Sequence, residues 1–196
     1  MTSRDKLINY LIEKSQAKSY LEIGICDGTN HKKIKCSSKV GVDPVSSSNC
    51  VTHKETSDSF FSKNKKNFDI IFVDGLHVNE QVYRDITNSL KFLNKNGFIV
   101  CHDMNPPSEL HQQVPRPKGQ RQWNGDCWKS WTKLRTERND LSMYVVDIDW
   151  GCGVIKYGTQ ELFETKNETI DYAYLEKNRK KLLNLVTVEE FISLNL

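Results

Sequence analysis

The stretch Tyr20-Leu-Glu-Ile-Gly-Ile-Cys-Asp-Gly-Thr29 constrains this chain more than any other. Tyr20, Leu21 and Ile23 form a short apolar run that Gly24 stops, and Gly28 follows four residues later. A helix can start near Thr29 or Asn30. Glycines at such a turn permit unusual dihedrals and close approach of a ligand. A strand, a glycine turn and a helix N-terminus together predict a nucleotide-type site at the carboxyl edge of a parallel sheet. The spacing is G-x-x-x-G, with Cys26 where a dinucleotide fingerprint needs its second glycine. Glu22, inside the strand, repels a pyrophosphate and suits a ligand carrying an amine or a sulfonium.

Two further apolar runs also end in acids, Lys39-Val-Gly-Val-Asp43 and Phe68-Asp-Ile-Ile-Phe-Val-Asp74. The second is nearly continuous, as for a central parallel strand. Val78, Val82, Ile86, Leu90 and Leu93 then repeat at helical spacing over 78–93, and Asn94-Lys-Asn-Gly97 reads as a helix stop. Gly97-Phe-Ile-Val-Cys-His-Asp103 is the next strand, completing a right-handed β-α-β unit. Leu7, Ile8, Leu11 and Ile12 mark an amphipathic helix over 3–16. Cys50-Val-Thr52 is read as a short third strand. Thr56-Ser-Asp58 caps a helix containing Phe60 and Phe61.

Four of the five prolines fall in 104–125, predicting a long functional loop. Asp126 is expected to cap a helix carrying Trp128, Trp131 and Leu134. Residues 142–147 and 152–157 read as an antiparallel pair turning at Trp150-Gly151. From Gly158 the chain becomes more polar, with a helix over 171–184 and a capping box at Thr187-Val-Glu-Glu190. The expected division is 1–157 for the main domain and 158–196 for a helical extension packed on it.

With 196 residues, 37% of them apolar, the chain can bury a real core. A net charge of +3 is too mild to imply nucleic acid. No window is apolar enough to span a membrane. The six cysteines form no C-x-x-C pair, so reduced thiols in a cytoplasm are expected, rather than zinc or a disulfide framework.

The segments Leu21-Glu-Ile-Gly-Ile25, Gly41-Val-Asp43, Phe68-Asp-Ile-Ile-Phe-Val-Asp-Gly-Leu-His77 and His102-Asp103 resemble the class I S-adenosylmethionine-dependent methyltransferases. They are similar to the small sugar O-methyltransferase branch of macrocin and mycinamicin type, over about residues 15–157. The resemblance implies a Rossmann-like three-layer α/β/α sandwich, whose mostly parallel seven-stranded sheet ends in an antiparallel hairpin. It implies S-adenosylmethionine as cofactor. Its methionine end would lie along Glu22, Gly24, Ile25, Cys26 and Gly28. Its ribose would go to Asp43, beside Pro44, and its remaining contacts to Ser57, Asp58, Asp74 and Gly75. One carboxylate accepting two hydrogen bonds suits a ribose diol.

In this branch a divalent metal, Mg²⁺ or Mn²⁺, is often held by acids at the ends of the fourth and fifth strands. The matching positions are Asp74 and Asp103, with Asn105 as a further oxygen. His102 stands where the branch often has another acid, which weakens the magnesium case or favours a softer metal. The resemblance also implies that His77 is the general base, with Asp74 in the catalytic group and His102 as the rival base. The acceptor would be a sugar or glycan hydroxyl. Arg116, Lys118 and Arg121 give the 104–125 loop a basic cluster that suits a phosphorylated or otherwise anionic acceptor. A homo-oligomer is left open. The alternatives are a nicotinamide-dependent oxidoreductase and a non-catalytic binding module on the same fold.

Overall fold

A computed structural model of the chain describes residues 1–165 and 168–195. The polypeptide runs α1 (Arg4–Ser15), β1 (Ser19–Ile23), α2 (Thr29–Lys33), β2 (Ser38–Val42), α3 (Ser57–Lys63), β3 (Phe68–Val73), α4 (Asn79–Lys91) and β4 (Leu93–Cys101). It continues with α5 (Glu109–Gln112), α6 (Cys127–Glu137), β5 (Leu141–Val146), β6 (Cys152–Tyr157), α7 (Tyr172–Leu183), β7 (Leu185–Val186) and α8 (Val188–Ser193).

The strands form one sheet in the order β2-β1-β3-β4-β6-β5-β7. β2, β1, β3 and β4 pair in parallel, β6 is antiparallel to both β4 and β5, and β7 is parallel to β5. Alternation along the strands divides the core between two faces. Tyr20, Ile70, Phe72, Phe98 and Val100 pack under Leu7, Ile8 and Leu11 of α1 and Phe191 of α8. Leu21, Ile23, Ile71, Val73 and Ile99 face Val82, Ile86 and Leu90 of α4, Trp128 and Trp131 of α6, and Leu175 of α7. The result is the expected Rossmann-like α/β/α arrangement.

Helix signals behaved as their chemistry requires. Thr56 caps α3 by accepting from the Ser59 amide, and Thr187 and Glu190 close the capping box of α8. Three local readings change. Cys50–Thr52 forms no strand and meets β2 through the Gly41 carbonyl and the Val42–His53 bridge, so the seventh strand is instead the two-residue β7. Asn94–Gly97 belongs to β4, with a register shift opposite Phe68–Ile70. Asp126 makes no cap; its carboxylate accepts from the Asn79 amide at 2.8 Å and so joins α6 to α4.

Chain order reverses beside β1, because β2 lies on one side of it and β3 on the other. In open α/β sheets ligands bind at the strand carboxyl ends at such a switch point.

Candidate active site

At that switch point Gly24 adopts φ +88°, and a Cβ added there would lie 2.0 Å from the Asp74 carbonyl oxygen. The glycine turn and the end of β3 are therefore in backbone contact. Around them opens a cavity of about 1080 Å³. Glu22, Gly24, Ile25, Cys26, Asp43 and Pro44 line one wall. Ser57, Asp58, Asp74, Gly75, His77, His102 and Asp103 line the rest, so the sequence candidates converge. Gly28 sits behind this wall at φ +80°, where a Cβ would meet Ser48 Oγ at 2.3 Å. Its role in the turn is close packing.

Glu22 is buried and accepts from Tyr20 Oη at 2.7 Å and Asn30 Nδ2 at 3.2 Å, with His31 Nδ1 at 3.0 Å. Asp43 accepts four backbone amides: Ile25 and Cys26 on Oδ2, Val45 and Ser46 on Oδ1. Burial works against its charge, but these amides hold its pKa below the ordinary carboxylate range. A carboxylate has about four lone-pair sites. A ribose diol at Asp43 therefore shares or displaces bonds that already close the two turns.

The second cluster gathers side chains from five segments. Asp74 ends β3, and His102 and Asp103 follow β4. His77 precedes α4, Arg4 opens α1, and Asp149 lies in the β5–β6 turn. Arg4 Nη1 donates to Asp74 Oδ2 at 2.8 Å and lies 2.9 Å from His102 Nδ1. The Arg4 amide donates to Asp149 Oδ2 at 3.0 Å, and its Nε is 3.3 Å from the same oxygen. His102 Nδ1 is also 2.9 Å from Asp103 Oδ2. Asn124 Nδ2 holds the other Asp103 oxygen at 2.7 Å.

Burial opposes ionisation throughout this cluster, and opposite charges overcome it. Asp74 is held well below the usual carboxylate range by His102, with His77 and Arg4 adding to the effect. His102, whose Nε2 is 3.6 Å from Asp149 Oδ1, brings Asp149 down to about 2, against its burial. His102 is pushed well above the ordinary histidine value by Asp74 and Asp103. His77 is raised, chiefly by its contact with Asp74.

His77 Nδ1 donates to the Trp123 carbonyl at 3.0 Å, which leaves Nε2 as the basic nitrogen, 3.5 Å from Asp74 Oδ1. The Trp123 ring stacks on the imidazole at 5.3 Å between centroids. Of the basic loop residues, Arg121 lines the cavity. Arg116 is turned onto the Gln120 and Arg121 carbonyls.

The metal expectation can be tested on these donors. Ligand atoms of Asp74, His102 and Asp103 lie within 4.8 Å of one another. Asn105 is elsewhere: its Oδ1 accepts from Arg179 at 2.5 Å and its Nδ2 donates to Asp147 at 3.0 Å. The third donor is thus a nitrogen, which suits Mg²⁺ poorly. Arg4 already donates to one of these carboxylates, through Asp74 Oδ2. The residues present do not make a good Mg²⁺ site.

Sequence reading missed Arg4, Asp149, Asn124 and Asp85. Asp85 lines the cavity from α4 with no exposed surface. Its Oδ1 accepts from Gln81 at 2.9 Å, and its Oδ2 has no partner among the described residues. Burial pushes its pKa up to about 6, against the opposing effect of nearby Ser57 and Gln81. An acid with a raised folded pKa binds protons more tightly when folded. The resulting penalty is complete above about pH 6 and disappears below the unfolded value near ~4. Asp85→Asn is expected to stabilise the protein at pH 8 by roughly 1–3 kcal/mol and to change it little near pH 4. Urea midpoints at both pH values check this; equal shifts at both would refute it.

Residues 16–104 match the family model described as a methyltransferase domain. No curated protein matches the chain by sequence. Among solved structures, the chain is similar to the SAH-bound methyltransferase PaMTH1 of Podospora anserina, with 16% identity and a TM-score of 0.59. That match covers 81% of this chain and 80% of the other. It is also similar to the O-methyltransferase TomG of Streptomyces achromogenes, solved with SAM, with 14% identity and a TM-score of 0.60 over 79% of each chain. The MycE methyltransferase of the mycinamycin biosynthetic pathway was solved with Mg, SAH and mycinamycin VI. It matches with 14% identity and a TM-score of 0.53, over 82% of this chain and 50% of that one. Among the described residues no helix is long and apolar enough to cross a membrane. Over residues 16–104 the chain thus matches a methyltransferase-domain model, and its fold is the Rossmann-like fold of the S-adenosylmethionine-dependent methyltransferases it is similar to.

Proposed function

We propose that the protein transfers a methyl group from S-adenosylmethionine to a hydroxyl of a sugar or glycan. One observation carries this reading: the glycine turn, Asp43 and the Asp74–His77 pair open into a single cavity at the switch point. The methionine end of the cofactor would lie along Gly24 to Cys26, near Glu22. The adenosine would extend past Asp43 and Pro44 toward Ser57, Asp58 and Gly75. The sulfonium methyl would then point toward His77.

In the reaction the acceptor hydroxyl gives its proton to His77 Nε2 as its oxygen attacks the methyl carbon. The new C–O bond forms while the C–S bond breaks, and that electron pair neutralises the sulfonium. Asp74, 3.5 Å from Nε2, stabilises the imidazolium that results. Residues 104–125 would act as a lid, with Arg121, Gln122 and Trp123 facing the cavity. Arg121 supports an anionic acceptor. The sugar class rests on the resemblance to the macrocin and mycinamicin-type branch. A second reading adds a divalent cation, and the proximity of Asp74, His102 and Asp103 favours it. Arg4 on the same carboxylates opposes it. A cytoplasmic setting is proposed from the pattern of free thiols.

The test is calorimetry with S-adenosylmethionine and its demethylated product SAH, with NADH as a control, followed by labelled methyl transfer to a panel of sugars. Neutral and phosphorylated sugars in the panel test Arg121. Binding of NADH alone, or no transfer to any hydroxyl, would defeat the proposal. Asp43→Ala is expected to weaken SAH binding by at least ~1.5 kcal/mol, the scale of hydrogen bonds to a charged group. The variant also strands four amides, so its thermal unfolding is measured alongside. Unchanged affinity in a folded Asp43→Ala protein would remove Asp43 from the cofactor site.

A further inference from the structure

We infer that Arg4 is the resident cation of this site. Its guanidinium stands among Asp74, Asp103, His102 and Asp149 where a divalent metal would otherwise sit. The methyl transfer proposed above, on which this inference rests, then needs no added metal.

Geometry supports this first. Arg4 Nη1 is 2.8 Å from Asp74 Oδ2, and its amide and Nε both approach Asp149 Oδ2. The side chain is not a loose surface arm. Arg4 lies on the same helical stripe as Leu7, Ile8 and Leu11, all of which are buried beneath the sheet. Helix α1 therefore delivers the charge to a fixed place at the sheet edge.

Charge balance supports it second. Asp74, Asp103 and Asp149 bring three carboxylates to one small volume, and the side chains facing them are Arg4, His102 and His77. A fixed guanidinium on Asp74 Oδ2 works against a divalent ion at the same carboxylate, since like charges there repel strongly.

Donor chemistry supports it third. Asn105, the candidate oxygen ligand, is held by Arg179 and Asp147. A guanidinium offers five N–H donors. Nη1 and Nε of Arg4 are engaged, while Nη2 has no hydrogen-bond partner among the described residues and Arg4 lines the cavity. That free N–H edge is suited to the acceptor oxygen as it loses its proton to His77. It would supply the local positive charge that a metal supplies in other sites.

The test is Mn²⁺ binding by electron paramagnetic resonance on the full chain, comparing wild type, Arg4→Gln, Arg4→Lys and the double variant Arg4→Gln/Asp74→Asn. Glutamine keeps much of the stem, and thermal unfolding verifies that each protein is folded. The expected result is weak or no Mn²⁺ uptake by wild type and Arg4→Lys. Arg4→Gln should bind at least about tenfold more tightly, because a cation has left the carboxylates. That gain should vanish in the double variant. Wild-type transferase activity should also survive excess chelator.

Equal Mn²⁺ affinity in wild type and Arg4→Gln would overturn the inference, as would wild-type activity that chelator abolishes and Mn²⁺ restores. Absence of Mn²⁺ uptake by every protein would overturn it as well, since Arg4 would not then be filling a cation site. SAH calorimetry on the same preparations keeps the two questions apart. Failure to bind SAH defeats the methyltransferase reading, while the Mn²⁺ comparison reads Arg4 directly.

Discussion

His77→Ala is expected to lower kcat by about 10²–10⁴-fold, the usual range for loss of a general base, with SAH affinity nearly unchanged. Of the two histidines, His77 is the one with a nitrogen to spare. The Trp123 carbonyl fixes the proton of His77 on Nδ1, so Nε2 carries the lone pair and faces Asp74. His102 is nearly sealed from solvent, and its Nδ1 is crowded by Asp103 and Arg4. Asp74 and Asp103 push its pKa well above the ordinary histidine value, so the two carboxylates favour its charged form. Because the His77 pKa is raised, the base is lost as pH falls through a value above 6.5. The acid limb of the kcat profile should lie there and be absent in His77→Ala. The comparison that decides is His77→Ala against His102→Ala at neutral pH. Near-normal kcat in the first and a collapse in the second would exchange their roles.

Gly24→Ala is expected to destabilise the fold by roughly 3 kcal/mol or more and to remove SAH binding. Two costs combine. The residue sits at φ +88°, where an L side chain is strained, and the new methyl group would lie 2.0 Å from a backbone oxygen of the adjacent strand end. That oxygen belongs to Asp74, so relief of the clash would also shift the Asp74 carboxylate. Gly75→Ala is the control, because its added Cβ would come no nearer than 3.4 Å to Ile23 Cγ2. Urea unfolding of both variants checks the contrast. A wild-type midpoint for Gly24→Ala would show that the glycine turn is not packed against β3.

The sequence resolved the parts of the site that are local in the chain. Asp43, Asp74, His77 and Asp103 each end or follow an apolar run, so their place at the sheet edge follows from strand length. Arg4 and Asp149 reach the same spot from opposite ends of the chain, and spacing cannot register that. Both missed helical charges nevertheless left a mark. Arg4 extends the Leu7–Ile8–Leu11 stripe by one turn, and Asp85 interrupts the buried stripe between Val82 and Ile86. A charged residue on an apolar stripe must find a partner or bear a penalty. Short elements failed for another reason. Leu185–Val186 is too brief to show a period, and it became a strand only because β5 offered a free edge. Cys50–Thr52 has a strand-like composition, but Thr52 and His53 spend their amides on one carbonyl, that of Gly41.

The bond between His77 Nδ1 and the Trp123 carbonyl joins residues 46 positions apart. The carbonyl belongs to the 104–125 loop, whose C-terminal end is pinned where the Asn124 and Gly125 amides both reach the His111 carbonyl. A Cβ at Gly125 would lie 1.8 Å from the His77 carbonyl oxygen, so the loop also abuts the His77 backbone. The imidazole therefore does not choose its own tautomer. When the loop is seated, Nδ1 is obliged to donate and Nε2 is armed. Without the Trp123 carbonyl and ring, either nitrogen could hold the proton and the imidazole would lose its stacked neighbour. In the methyl transfer proposed above, enclosing the acceptor and activating its hydroxyl would then be one event, and a cavity holding cofactor alone would be kept chemically quiet.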